Sequence, residues 1–255
     1  MAHPNGFDLQ GKIAVVTGGS RGIGRAVATG LAEIGADVVI ASRKLDACVT
    51  AAAEIEGRTG RRALPVACHV GRWDDCDRLV ERVYLEFGRC DVLVNNAGMS
   101  PLYNGLLSVT PEYYDKVHAV NVRGPFRLSV LIGTRMAEGE GGSIINVSTA
   151  GSLRPMATDL PYAMAKAALN AMTLGLAGAW SPKVRANLIL PGAFDTDIMK
   201  AWDPQSVEWA ARSNPLGRVG RPEDMVGLCQ LLASDAGSYI NGAQVLVDGG
   251  AYRTL

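Results

Sequence analysis

Seven short apolar runs rich in β-branched residues recur along the chain, at 12–18, 36–42, 62–67, 91–96, 143–148, 184–190 and 243–248. Between them, 22–35, 73–87, 112–137, 162–180 and 222–233 carry apolar residues at spacings of three and four, the period of one helix face. Strand, helix, strand repeated in this order predicts an α/β fold: a parallel sheet covered by helices on both sides. Crossovers must be right-handed, and the doubly wound topology is the foremost of the few that remain. No repeat or Pro/Gly/Ser linker divides residues 1–255, so one domain is expected. Only 191–221 lacks a strong pattern, and long irregular stretches in compact domains tend to be functional lids; the lid is expected near 193–214.

Composition narrows the classes. Of 255 residues, 48% are hydrophobic and 20% charged, with 25 of each sign. That balance gives no global pull toward nucleic acid or an anionic membrane. No apolar stretch approaches the roughly 18 residues of a membrane helix, and the N-terminal residues do not read as a secretory leader. Cys48, Cys68, Cys76, Cys90 and Cys229 show no CxxC spacing and read as reduced thiols of a cytoplasmic protein. His3, His69 and His118 form no ligand cluster, so no metal is expected.

The stretch TGGSRGIG (17–24) follows the first strand run and opens the first helix. Gly18, Gly22 and Gly24 would let the backbone turn tightly and approach a pyrophosphate on the helix N-terminus, with Ser20, Arg21 and Ile23 beside them. The bland alternative is an ordinary strand–helix turn. At the end of the second strand run, Ser42 stands where an acid would hold a free ribose 2′-OH, and Arg43 follows it. Arg43 and Arg21 offer planar forks suited to a 2′-phosphate, which favours NADP(H) over NAD(H).

YAMAK (162–166) puts Tyr162 and Lys166 one turn apart on one helical face. A phenol titrates near pH 10. A neighbouring ammonium lowers that by about 1–3 units, which would let Tyr162 exchange a proton with a carbonyl or alcohol oxygen.

These motifs do not stand alone. TGxxxGxG, NNAG (95–98), AVNVRGPF (119–126), NVST (146–149), YAMAK and PGAFDT (191–196) occur in the order of the short-chain dehydrogenase/reductase family, which the chain resembles over nearly its whole length. The resemblance implies a seven-stranded Rossmann-type fold and oxidoreduction of a carbonyl/alcohol pair. It makes Tyr162 the general acid/base, lets Lys166 also bond the nicotinamide ribose, and gives Asn121 a water of the proton relay. That water would also satisfy a buried amide at 121. Asn95, Ala97 and Gly98 would line the adenosine side, and Pro191, Gly192 and Thr196 the nicotinamide.

The chain departs from the family's pattern at three places. His69 followed by Val70 replaces the usual Asp-Val that contacts adenine, though a neutral imidazole can still accept a hydrogen bond. Residues 178–187 lack an acidic residue common there. NVST replaces the usual NxSS. Counting without gaps, and counting thirteen residues back from Tyr162, both put Thr149 in the serine's place, while alignment on the following glycine selects Ser148. We expect Thr149 to be the catalytic hydroxyl, with Ser148 structural and facing the sheet's other side.

Substrate identity is not legible. Phe194, Ile198, Met199, Trp202 and Trp209, opposite Met156 and Leu160, would suit a medium-sized apolar carbonyl compound or merely pack the lid. Ketone reduction is the leading reading. A 3-oxoacyl-carrier-protein reductase is the alternative, disfavoured by the acidic turn at 136–142. A non-catalytic nucleotide-binding regulator is a third. The resemblance also implies a homotetramer, built on the face around Ala163, Ala167, Ala171 and Gly175 and on 222–250.

Overall fold

A computed structural model describes residues 6–197, 199 and 202–254; His3 and Ile198 lie outside the described residues. In chain order the elements are β1 (Ile13–Thr17), α1 (Gly22–Glu33), β2 (Asp37–Ser42), α2 (Leu45–Thr59), β3 (Ala63–Ala67), α3 (Trp73–Phe87) and β4 (Val92–Asn95). Then come α4 (Pro111–His118), a π turn (Ala119–Arg123), α5 (Gly124–Glu138), β5 (Gly142–Val147) and α6 (Leu160–Ala179). They are followed by β6 (Val184–Pro191), α7 (Pro204–Arg212), α8 (Val226–Ala233), β7 (Gln244–Val247) and α9 (Ala251–Thr254).

The strands form one parallel sheet in the order β3-β2-β1-β4-β5-β6-β7. Alternation along each strand splits its apolar residues between two faces. Val16, Ile40, Val94, Ile145 and Ile189 pack with Leu31 of α1, Ile55 of α2 and Leu232 of α8. Val15, Val39, Leu93 and Ile144 pack with Leu79 of α3, Leu128 and Ile132 of α5, and Leu176 of α6. Both faces are therefore dry, which is why the strands read as unbroken apolar runs. The strand order reverses between β1 and β4, and the crevice at their carboxyl ends is where such sheets bind ligands.

The helical reading of 112–137 meets a correction. The segment is two α-helices joined by the π turn, which carries one residue more per turn and contains Asn121. Within the expected lid, α7 is regular helix, missed because Ala210 is its one buried residue. Residues 222–225 form a 3₁₀ turn before α8.

Candidate active site

The phosphate end is a cradle of backbone. Gly18 takes φ +65° as the chain leaves β1, a conformation that side chains other than glycine's disfavour. A Cβ on Gly24 would overlap the Gly18 carbonyl oxygen and Asn96 Nδ2. Arg21, at the N-cap of α1, supplies no side-chain cap, so the first N–H groups of the helix remain open to an anion. Ile23 packs into the core beneath.

Two residues that the motif reading left without a role hold this loop. Asn96 Nδ2 donates to the Thr17 carbonyl at 2.9 Å. Thr17 Oγ1 accepts from the N–H groups of Asn96 (3.0 Å) and Ala97 (3.1 Å). Both stand inside the quoted motifs, as the Thr of TGxxxGxG and the second Asn of NNAG. They tie the ends of β1 and β4 together across the switch point.

Ser20 Oγ donates to Ser42 Oγ at 3.1 Å, joining the glycine loop to the end of β2. Arg43 beside them is exposed and makes no ion pair among the described residues. Arg21 points elsewhere: it pairs with Asp197 at 2.8 Å. Of the expected arginine pair, Arg21 is thus engaged by the lid segment and Arg43 alone stands beside the Ser20–Ser42 bond without an ion pair among the described residues.

The adenosine side needs further correction. Asn95 is only 1% exposed and donates to Ser129 Oγ (3.0 Å) and Asn146 Oδ1 (2.8 Å), so its side chain braces β4, β5 and α5. Gly98 lies at the chemical end, where a Cβ would meet Asn121 Oδ1 (3.1 Å) and Lys166 Nζ (3.6 Å). His69 Nδ1 accepts from the Gly71 N–H at 3.1 Å. The ring proton then sits on Nε2, which can donate but not accept, so the acceptor expected for an adenine amino group is already used. The Val70 side chain is buried in the core.

At the chemical end, α6 presents Tyr162 and Lys166 toward the carboxyl end of β5. The Thr149 hydroxyl neighbours the Tyr162 phenol. Burial pushes the phenol above its usual pKa, the Asp159 carboxylate adds to this, and the Thr149 hydroxyl opposes it. Lys166 is 2% exposed, donates from Nζ to the Val147 carbonyl at 2.7 Å, and lies 5.9 Å from the Tyr162 ring centre. Burial pulls its pKa down to about 7. The expected lowering of the phenol by Lys166 is thus not the dominant effect: desolvation of both groups outweighs their attraction.

Asn121 is fully buried, but its amide does not lack partners. Nδ2 donates to the carbonyls of Met99 and Val117, each at 2.9 Å, and Oδ1 accepts from the Met99 N–H at 3.3 Å. The reason for a water given by an unpaired amide therefore falls away.

Ser148 and Thr149 both address α6, at different levels. Ser148, 3% exposed, donates to Asn170 Oδ1 at 2.5 Å, two turns beyond Tyr162. It does not face the far side of the sheet. β5 ends at Val147, so strand alternation no longer governs residue 149. Thr149 Oγ1 accepts from the Gly151 N–H at 3.2 Å and donates, at 3.5 Å, to the carbonyl of Pro191, the last residue of β6. A Cβ on Gly192 would meet Asp248, and Thr196 packs 3.7 Å from the position a Gly22 Cβ would take. The start of the lid segment thus rests on the glycine loop.

The residues expected to line the substrate side divide. Phe194 and Met199 are buried, with Phe194 packed on Gly220, whereas Trp202, Trp209 and Met156 remain exposed. Tyr103 adds an unforeseen clasp: its phenol accepts from the Leu160 N–H at 3.1 Å and donates to the Ala157 carbonyl, pinning the first turn of α6. No cluster of potential metal ligands occurs among the described residues, and no helix among them is long and apolar enough to cross a membrane. All five cysteines are buried and unpaired.

A doubly wound sheet, a glycine cradle at its switch point and a Tyr–Lys pair at the neighbouring strand end define a dinucleotide-dependent oxidoreductase. A family model described as "Enoyl-(Acyl carrier protein) reductase" matches residues 18–252. "Dehydrogenase/reductase SDR family member 4" of Sus scrofa is 35% identical over 250 residues, covering 97% of this chain and 89% of that one. The crystal structure of a gluconate 5-dehydrogenase from Burkholderia cenocepacia J2315 in complex with NADP and tartrate superposes with TM-score 0.93 at 31% identity, covering 98% and 99% of the two chains. A blue fluorescent protein from a metagenomic library, in complex with NADPH, superposes with TM-score 0.89 at 35% identity, covering 96% and 99%. The chain belongs to the short-chain dehydrogenase/reductase family.

Proposed function

We propose that the protein is an NADP(H)-dependent carbonyl reductase, interconverting a ketone and a secondary alcohol as one catalytic unit with residues 193–214 as its lid. The observation that carries this reading is Tyr162 with the Thr149 hydroxyl beside it and Lys166 behind it, at the strand end next to the glycine cradle. The cradle fits a pyrophosphate because Cβ atoms would fill it and α1 is uncapped. Gly18, Ser20, Gly22 and Gly24 would hold the diphosphate, Ser42 and Arg43 the 2′-phosphate, and Lys166, Pro191, Gly192 and Thr196 the nicotinamide end. Complexes of two similar proteins with NADP and NADPH support that choice.

When bound, the dinucleotide supplies or accepts the hydride at the carbonyl carbon. Tyr162 gives a proton to the substrate oxygen, or takes it in the reverse direction. The Thr149 hydroxyl donates to the same oxygen and shares its developing charge. The charge on Lys166, which depends on its depressed pKa, favours the phenolate after proton transfer. Asn121 keeps its relay role as part of this proposal. Five buried unpaired thiols suit the cytoplasm, and a homotetramer is the proposed assembly.

The test is oxidation of NADPH, followed by absorbance, across ketones, diketones, steroids and acyl thioesters. Turnover of ketones supports the reading. Turnover of acyl thioesters alone would replace it with acyl-carrier chemistry, against which the exposed Glu138 and Glu140 speak. Tight NADPH binding with no turnover of any compound would make the protein a regulator.

A further inference from the structure

Tyr162, Lys166 and Asn170 follow one another on α6 at four-residue intervals, so the stripe that carries the chemistry runs one turn past the lysine. Asn170 is buried at 8% exposure and joins two serines of the β5–α6 connection. Its Oδ1 accepts from Ser148 at 2.5 Å, and its Nδ2 donates to Ser152 Oγ at 2.8 Å. Ser152 Oγ in turn donates to the Thr149 carbonyl at 2.6 Å, which also accepts the Ser152 N–H at 3.1 Å.

The shortest of Ser148's contacts is the one to Asn170, at 2.5 Å against 3.3 Å to the Lys166 carbonyl and 3.5 Å to Ser152 Oγ, and it sets the direction of the chain. Ser148 spends its proton on Asn170, and Asn170 fills a lone pair of Ser152, so the Ser152 proton is left for the Thr149 carbonyl. An amide offers an acceptor and a donor together; a carboxylate or a hydrocarbon does not. With its carbonyl held on one side by Ser152, residue 149 turns its side chain toward Tyr162. The Gly151 N–H occupies a lone pair of Thr149 Oγ1, and the hydroxyl proton rests on the Pro191 carbonyl at 3.5 Å, a long bond it can exchange for one to a substrate oxygen.

We infer that Asn170 is a positioning residue: through Ser152 it sets the orientation of the Thr149 hydroxyl against Tyr162. This rests on the reading of Thr149 as the catalytic hydroxyl, and the experiment separates the two. Asn170→Ala, Thr149→Val and the double variant are compared for NADPH oxidation with the fastest-reduced carbonyl compound of the panel, alongside NADPH Kd and Tm. In Asn170→Ala, kcat should fall about tenfold, less than the roughly 10²-fold that a misplacement of 1 Å can cost, while the NADPH Kd stays within about twofold. In the Thr149→Val background, Asn170→Ala should cost less than about twofold more, because the group it positions is gone. Asn170→Asp keeps the acceptor for Ser148 but loses the donor to Ser152, and its kcat should fall like that of the alanine variant. An unchanged kcat in folded Asn170→Ala, or a fall that multiplies with that of Thr149→Val, overturns the inference while the Thr149 reading stands. If Asn170→Ala does not fold, Ser152→Ala, at a partly exposed position, is judged by the same criteria. Wild-type turnover by Thr149→Val overturns the Thr149 reading itself.

Discussion

A threonine hydroxyl that both donates and accepts can stand where serine is usual, at the cost of a methyl that stiffens χ1 and narrows the space beside the reacting carbon. Thr149→Val should therefore lower kcat by about 10²-fold or more, the scale of losing one such donor, while Thr149→Ser stays active. Ser148→Ala removes a buried donor and leaves Asn170 Oδ1 unpaired, which should cost about 1–3 kcal/mol of stability and change turnover little. Loss of turnover in folded Ser148→Ala, with Thr149→Val active, would reverse the two assignments. Lys166 gives a second prediction, on stability against pH. Its folded pKa of about 7 lies below the ordinary lysine value of 10.5, so between these values the unfolded chain binds more protons and stability rises with pH, by up to about 1.4 kcal/mol per pH unit. Urea melts from pH 7 to 10 should show wild type gaining on Lys166→Met by this slope. Parallel curves for the two proteins would remove the buried, depressed lysine.

At the scale of elements, the strands were legible because burial on both faces makes them mostly apolar. The π turn was not, since one inserted residue barely disturbs a pattern of threes and fours. Helix α2 was missed because its buried face is built from Cys48, Ala51, Ala52 and Ile55, a stripe too small in volume to stand out. The glycine loop and the Tyr–Lys turn could be read because their chemistry depends on local spacing. The partners of Asn95, His69 and Asn121 could not be read because they lie far away in sequence or on the loop backbone. The arginines show the consequence for specificity. Arg43, next to the Ser20–Ser42 bond, should raise the KM for NADPH about tenfold or more when replaced by Ala, from the 1.5–3 kcal/mol typical of a hydrogen bond to a charged group, with little effect on NADH. Arg21→Ala removes one ion pair of Asp197 and should act on both cofactors through the lid segment as well as on the phosphate. Equal KM changes for NADPH and NADH in Arg43→Ala would sink the assignment of the 2′-phosphate to this corner.

For the whole molecule, the outer face of α6 poses a problem that one chain does not solve. The helix reads LPYAMAKAALNAMTLGLAGA, and its one charged residue, Lys166, is buried. Met164, Ala167, Ala168, Ala171, Leu174, Gly175 and Gly178 are exposed, with no charge among them to keep the face solvated. Ala163, expected on that face, is already buried within the chain, so the available strip begins one position later. A helix that is apolar all round is a buried helix, and an exposed apolar strip of this kind marks an interface. Small residues at 167, 171 and 175 recur every four positions and would let a second helix approach closely. A two-fold axis would pair the strip with its own copy, the commonest closed solution among homo-oligomers. Light scattering at micromolar concentration should therefore give a multiple of the chain mass, four for the proposed tetramer. Ala171→Glu, exposed and harmless to the fold of one chain, should place two like charges against each other across the axis and shift the mass to smaller species. A wild-type protein that stays monomeric under these conditions refutes the assembly, and a tetramer unmoved by Ala171→Glu places its contacts elsewhere.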